Sequence, residues 1–107
     1  MKRGDVVTDV VPGEFGKLRP ALVVQSDIYN EHPSVTILQI TSGSPDFPQF
    51  RISVHPTERN GLRAPSHMSI DKIFSVKRER IGSVIDQVED DKLAAVNRAM
   101  LVFMGLA

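Results

Sequence analysis

The hydrophobic and polar positions of this chain divide it into a long region that predicts β-strands and a tail that predicts a helix. Strands are indicated where apolar or β-branched residues run together or alternate, at residues 5–11, 21–25, 34–41, 50–55, 68–70, 73–76 and 82–85. Loops rich in glycine and proline separate several of them, at residues 12–18, 42–49 and 56–65. Many short strands without intervening helices predict a mainly β domain, built as a small barrel or a sandwich.

Alternation within two of these strands predicts which side chains face the core. In residues 34–41 the odd-numbered positions share one face and the even-numbered positions share the other. In residues 50–55 the apolar side chains Phe50, Ile52 and Val54 share one face, opposite a polar face. A weaker pattern in residues 26–32 indicates a helical turn.

The C-terminal tail has the spacing of an amphipathic helix. Its apolar positions recur at helical intervals: Leu93, Val96, Met100 and Phe103. Acidic residues 89–91 favour a helix start, where carboxylates complement the macrodipole and cap free amides, and Gly105 favours a stop. Leu101 and Met104 widen the apolar surface, so two interpretations stay open: packing on the chain's own core, or contact with a partner.

Composition narrows the function classes. At 107 residues the chain is expected to form a single domain, residues 1–107. Its lack of cysteine rules out disulfides and thiolate catalysis, and it fits the cytoplasm, which is the expected location. No apolar stretch approaches the roughly 20 residues that cross a membrane. The net charge is zero, yet residues 50–85 carry seven basic and three acidic side chains, a local balance of +4 that suits a polyanion.

Several kinds of catalytic site are absent from the sequence. The three histidines are far apart and have no metal-ligand spacing, and neither a Gly-x-Ser-x-Gly elbow nor a phosphate-binding glycine-rich loop occurs. We therefore expect no metal and no cofactor.

What remains is a set of polar groups at strand ends. The run from Gly16 to Pro20 places Arg19 before a fixed proline at the mouth of an apolar strand, a position suited to gripping a phosphate. Glu14, Thr41 and Asp71 also lie at predicted strand ends or in loops. Such groups are sufficient for RNA cleavage without metal, because the 2′-hydroxyl of the substrate is the nucleophile. Spacing leaves open whether they converge or are ordinary loop residues.

The sequence resembles the MazF/PemK family, the ribonuclease toxins of bacterial toxin–antitoxin pairs. The resemblance covers nearly the whole chain in order, through residues 3–7, 13–14, 19–27, 40–41, 60–62, 66, 71–73, 80–82 and the terminal helix. It implies an SH3-like β-barrel with appended helices that forms a homodimer. It also implies a type II toxin: a metal-independent endoribonuclease that cuts single-stranded mRNA at a short sequence, leaves a cyclic phosphate, and is blocked by an acidic antitoxin segment.

The resemblance also implies roles for individual residues. Arg19 matches the catalytic arginine, which stabilises the phosphorane and donates a proton. Thr41 matches its hydroxyl partner at the scissile phosphate, and Glu14 matches a supporting loop glutamate. The loop of residues 12–18 is then expected to act as a gate over the RNA site.

Asp71 occupies a carboxylate position that some members use as a general base. Those members carry a nearby arginine, whereas this chain has Ser69 and Phe74 around the aspartate. Two roles therefore stay open for Asp71: general base, or a residue that contacts a base edge or anchors its loop.

Contacts to RNA are expected along a groove. The candidate contacts to phosphate are the polar side chains Lys17, Ser42, Arg51, Arg63 and Lys72. The candidates for stacking on bases are Phe15, Phe47 and Phe50, of which Phe50 alternates with core positions.

Two other functions compete with the ribonuclease interpretation. The first is a DNA gyrase poison of the CcdB type, which has the same fold but ends in a tryptophan-containing tail, whereas this chain has no tryptophan. The second is a barrel that binds nucleic acid or protein without catalysis.

Overall fold

The computed structural model describes residues 1–10, 18–43 and 46–107. The strands are β1 (Asp5–Val10), β2 (Leu18–Val23), β3 (Ser34–Ser42), β4 (Arg51–Val54), β5 (Ser66–Lys77) and β6 (Ile81–Gln87). The helix α1 spans Asp90–Phe103. Short 3-10 turns lie at Asp27–Tyr29, as the sequence predicts, and at Arg78–Arg80. Within these residues no helix is long and apolar enough to cross a membrane.

The six strands form one antiparallel sheet in the order β4-β5-β3-β2-β1-β6. The predicted mainly β class with a terminal helix is confirmed, but the predicted closure into a barrel is wrong, since the described edge strands β4 and β6 do not pair. The loop after β4 contacts β6 instead: the backbone N–H of Gln87 donates to the Arg59 carbonyl at 3.1 Å. Pro56, Gly61 and Pro65 interrupt this loop and keep it from adding a strand.

The segment predicted as two strands around Asp71 is the single strand β5. Leu38 pairs with Ile73 and Ile40 pairs with Met68, so residues 69–72 of β5 lie opposite Gln39 alone. This surplus makes a bulge that carries the polar pair Asp71-Lys72. The interruption of the apolar pattern therefore marks a bulge and not a strand end.

Side chains are buried on both sides of the sheet. One side, called here the helix side, packs against Val96 and Ala99 of α1; its buried strand and loop residues are Val6, Leu22, Val24, Leu38, Ile40, Val54, Met68, Ile70 and Val88. The other, called here the cavity side, buries Val7, Ala21, Val23, Val35, Ile37 and Val76. The alternation predicted in β3 and β4 is confirmed, because odd positions of β3 face the cavity side and Ile52 and Val54 face the helix side.

Only part of the apolar face predicted for α1 is buried. Val96 is buried, and Leu93 and Met100 pack partly buried against the helix-side core. Phe103 is 49 % exposed and leans on Phe50, with ring centroids 5.3 Å apart. Gly105 has φ 74°, the left-handed conformation that ends many helices.

The prediction that acidic side chains cap the helix is wrong for Glu89, the N-cap residue, which makes no side-chain cap hydrogen bond. Its carboxylate accepts hydrogen bonds from the Thr57 hydroxyl at 2.5 Å and from Asn60 Nδ2 at 3.0 Å. Burial alone raises the pKa of Glu89, but these two hydrogen bonds, helped by the backbone and Arg59, lower the pKa below the usual glutamate value.

Asn60 ties the loop after β4 together. The residue is fully buried, and its Oδ1 accepts from the Thr57 and Leu62 amides at 3.0 Å each. Its Nδ2 donates to the His55 carbonyl at 2.8 Å as well as to Glu89. A buried amide with all these partners holds a loop of weak local propensity in one conformation.

Candidate active site

Arg19 lies in β2, on the cavity side of the sheet. Pro20 fixes φ at the following residue and favours extended backbone at Arg19, so the arginine joins the strand instead of the loop. In the antiparallel register of β1 and β2, Arg19 lies opposite Asp9. The predicted position of Arg19 at the mouth of a buried strand is thus found in the structure.

Thr41 is brought towards Arg19 by the register of β2 with β3. Ala21 pairs with Gln39 at the end of the β2–β3 ladder, and Arg19 and Thr41 each lie two residues beyond this pair, in the same direction along the two strands. Alternation along each strand puts Arg19 on the same side as Ala21 and Thr41 on the same side as Ile37. Ala21 and Ile37 belong to the cavity-side core, so both site residues lie on the cavity side. On its other flank Thr41 pairs with His67 of β5. The pair Asp9–Arg19 on β1 and β2 and the pair Thr41–His67 on β3 and β5 therefore place polar residues on four adjacent strands.

The Thr41 hydroxyl is unusual in its environment. Its Oγ1 is buried and has no hydrogen-bond partner among the described residues, a state it shares with Ser69 Oγ. Buried hydroxyls almost always have partners, so a hydroxyl without one among the described residues marks a place for an external acceptor.

His67 is one of the three histidines that lack metal-ligand spacing, and the structure places it in β5, where it pairs with Thr41. It is 7 % exposed, and its Nδ1 lies 3.0 Å from the Gly43 carbonyl oxygen. A carbonyl can only accept, so Nδ1 carries the hydrogen and Nε2 is left with its lone pair in the neutral ring. Within the described residues no group of three or more histidine, aspartate or glutamate side chains could hold a metal ion.

A cavity of about 360 Å³ opens beside Arg19 on the cavity side. It is lined by Asp9, Arg19, Pro20, Ala21, Gln39, Phe74 and Arg80. Arg80 binds the Asp9 carboxylate through both oxygens, with Nε to Oδ1 at 3.0 Å and a second nitrogen to Oδ2 at 2.8 Å. Asp9 is 4 % exposed in its side chain, and such a buried carboxylate is costly without this partner.

Asp71 is held by a second bidentate ion pair, with Arg51 of β4. The distances are 3.2 Å from Nε and 2.9 Å from the terminal nitrogen. The hydrogen bond from Arg51 lowers the pKa of Asp71 against a smaller effect of burial, and it raises the pKa of Arg51 in turn. The Arg51 guanidinium also lies over the Phe47 ring, 5.3 Å from its centroid. A carboxylate so strongly held in its ionised form is a weak proton acceptor.

The remaining predicted contacts are scattered. Ser42, Arg63 and Lys72 are exposed, at the end of β3, in the loop after β4 and on the β5 bulge respectively. Glu14, Lys17 and Phe15 lie outside the described residues, as does almost all of the loop expected to act as a gate. Phe47 is 51 % exposed and stacks on the partly buried Phe50.

Sequence reasoning missed four polar or aromatic cavity residues: Asp9, Gln39, Phe74 and Arg80. A charge or amide within a β-branched run was the available signal for Asp9 and Gln39, because both occupy positions that alternate with core residues. Arg80 carried no such signal, since the structure brings it from a 3-10 turn 71 residues away from its partner.

Comparison with known proteins places the chain in a family. Residues 2–104 match the family described as the PemK-like, MazF-like toxin of type II toxin–antitoxin systems. The chain belongs to this toxin family. The match spans every strand and the helix, so the predicted family is confirmed.

Individual relatives agree with the family. A probable endoribonuclease MazF of Mycolicibacterium smegmatis is 35 % identical over 108 residues, covering 100 % of this chain and 99 % of the relative. The endoribonuclease EndoA of Bacillus subtilis is 27 % identical over 114 residues, covering 99 % and 96 %. A solved mycobacterial endoribonuclease in complex with its cognate antitoxin has the same fold, with a TM-score of 0.83 at 20 % identity, covering 100 % of this chain and 97 % of that one. These relatives support the predicted endoribonuclease class of toxin.

Proposed function

We propose that this protein is the toxin of a type II toxin–antitoxin pair and cuts single-stranded mRNA without a metal ion. The observation that supports the proposal is that Arg19 lines an open cavity, on the side of the sheet to which the alternation of β3 also assigns Thr41. A fixed guanidinium and a hydroxyl are the groups that stabilise charge developing on a phosphate.

In the proposed reaction the 2′-hydroxyl of the RNA attacks the adjacent phosphorus. The bond from O2′ to phosphorus forms, and the bond from phosphorus to O5′ breaks. Arg19 stabilises the charged phosphorane and gives a proton to the leaving O5′, while the Thr41 hydroxyl binds a non-bridging oxygen. The proton of the 2′-hydroxyl passes to water, and water returns a proton to Arg19. The products are a 2′,3′-cyclic phosphate and a 5′-hydroxyl. The cleavage position depends on a short RNA sequence.

For Asp71 we propose the anchoring role and not that of the general base. The bidentate pair with Arg51 keeps the carboxylate ionised and occupies both of its oxygens. The same pair occupies Arg51, so Lys72 and Arg63, both exposed, are the better candidates for contact with RNA phosphates.

A purified-protein assay tests the function. The wild-type protein is expected to cleave single-stranded RNA in the presence of a chelator, and Arg19→Ala is expected to lose roughly 10²-fold or more in rate. Arg98→Ala, an exposed arginine of α1, is the matched control and should cleave like wild type. A single 2′-deoxy substitution at the cleaved nucleotide should abolish the reaction. Equal cleavage by wild type and Arg19→Ala would contradict the proposal, and inhibition of gyrase supercoiling without RNA cleavage would favour the alternative toxin class.

We further propose a cognate antitoxin and a homodimer as partners, in the cytoplasm. The end of α1 supports a protein partner, because Leu101, Val102, Met104 and Leu106 are between 46 and 71 % exposed. Such an apolar patch on a small protein is typical of an interaction site. Co-expression with a small acidic protein encoded next to this one is expected to restore growth, and light scattering should give twice the mass of one chain.

A further inference from the structure

The cavity beside Arg19 has two walls that the proposed chemistry does not use. Phe74 is 38 % exposed and lines it, at a position of β5 that pairs with the buried Ile37 on the cavity side. Gln39 lines it from β3, and the Gln39 side chain makes no hydrogen bond with any described residue. An exposed aromatic ring and an unengaged amide thus lie in one cavity with the proposed catalytic arginine.

Charged side chains form one wall of the cavity. Its described lining residues include two arginines and one aspartate. Arg80 donates a hydrogen bond to each carboxylate oxygen of Asp9. The ion pair also keeps the Arg80 side chain against β1, so it forms a fixed part of the wall.

The remaining walls suit a nucleobase. Unstacked RNA bases are recognised by stacking on aromatic side chains and by hydrogen bonds to their edges, and an amide can both donate and accept in that role. The volume of about 360 Å³ lies within the range of small-molecule sites. A second phosphate fits the cavity less well than a base, because neither Phe74 nor Gln39 offers it a charge.

We propose that this cavity binds the nucleobase of the nucleotide whose phosphate lies against Arg19. Phe74 stacks on the ring, and Gln39 bonds one edge, which makes the pair a determinant of the sequence at which RNA is cut. This assignment rests on the proposed ribonuclease function and adds a base-specific subsite to it.

The test uses RNA with randomised sequence and reads both the rate and the bases around each cut. Phe74→Ala is expected to lose about tenfold in kcat/KM, mostly through KM, because stacking is lost while the catalytic pair remains. Phe74→Leu keeps apolar bulk and separates loss of stacking from loss of folding, and Tyr29→Ala, an exposed aromatic on a 3-10 turn, is the matched control.

Gln39→Glu tests the edge contact. Glutamate keeps the acceptor oxygen and replaces the amide donor group with a second acceptor oxygen, so the variant is expected to favour a base with an amino group at one position of the cleavage motif. The other positions of the motif should not change. Gln49→Glu, an exposed glutamine in the loop before β4, is the control.

The outcomes separate the subsite from the function. Cleavage by wild type and loss in Arg19→Ala, with wild-type rate and motif in Phe74→Leu, Phe74→Ala and Gln39→Glu, would overturn the subsite and leave the function standing. If wild type does not cleave RNA, both the function and the subsite are rejected. A motif change at one position in Gln39→Glu, with a KM increase in the Phe74 variants, supports the subsite.

Discussion

The helix side and the cavity side of the sheet are built from the same strands, yet they bury different chemistry. On the helix side the buried cluster is apolar, and it includes Val96 and Ala99 of α1. On the cavity side an apolar cluster at one end gives way to Asp9, Arg19, Gln39 and Phe74 at the other. Because side chains alternate along a strand, adjacent residues can serve stability and chemistry separately. Core residues of the same strands therefore hold the candidate site in position.

The largest effect expected from this comparison is on stability. Leu38 and Gln39 are adjacent in β3, but Leu38 is fully buried on the helix side and Gln39 lines the cavity. Leu38→Ala is expected to lower the free energy of unfolding by about 2–5 kcal/mol, since it leaves a void in a packed core. Gln39→Ala should change it by less than about 1 kcal/mol. Chemical denaturation measures both, and equal losses would show that the two sides are not energetically distinct.

A smaller effect, on the cleavage rate, is expected from a substitution at Asp71. Asp71→Asn keeps hydrogen-bonding atoms beside Arg51 but removes the charge, so the cleavage rate should stay within about threefold of wild type if the residue anchors the bulge. A general base lost at this position costs about 10²-fold or more. Single-turnover cleavage decides between the two values, and Asp46→Asn, an exposed carboxylate near Arg51, serves as the control.

The smallest effect is the acid sensitivity of the helix side. The pKa of Glu89 is lowered in the folded protein, so the carboxylate contributes stability above its unfolded pKa, and this is lost as pH falls through the folded pKa. Glu89→Gln should therefore lose less stability than wild type between pH 7 and pH 3, by under about 1 kcal/mol. Thermal unfolding at both pH values measures the difference. Glu58→Gln, an exposed neighbour, should behave like wild type.

The spacing of hydrophobic positions and the glycine and proline residues of the loops predict most of the strands, the helix and the position of Arg19. Local patterns could not predict that both sides of β3 are buried, because Ile37 and Leu38 are equally apolar and the burial of each depends on distant elements. The apolar pattern predicts a strand break at the Asp71-Lys72 pair and not a bulge, since a bulge depends on the partner strand as well as on its own sequence. The pairing of Thr41 with His67, and of Asp9 with Arg80, depends on tertiary register that spacing does not contain.

The Asn60 network has a consequence for how the molecule opens. By composition, the loop of residues 56–65 is a natural site for proteolytic nicking, with two prolines, a glycine and several exposed charges. Asn60 nevertheless links the loop backbone to Glu89 at the start of α1. The amides of Thr57 and Leu62 should then exchange with deuterium at the rate of the first helical turn, and a protease should reach the loop only when the helix start frays.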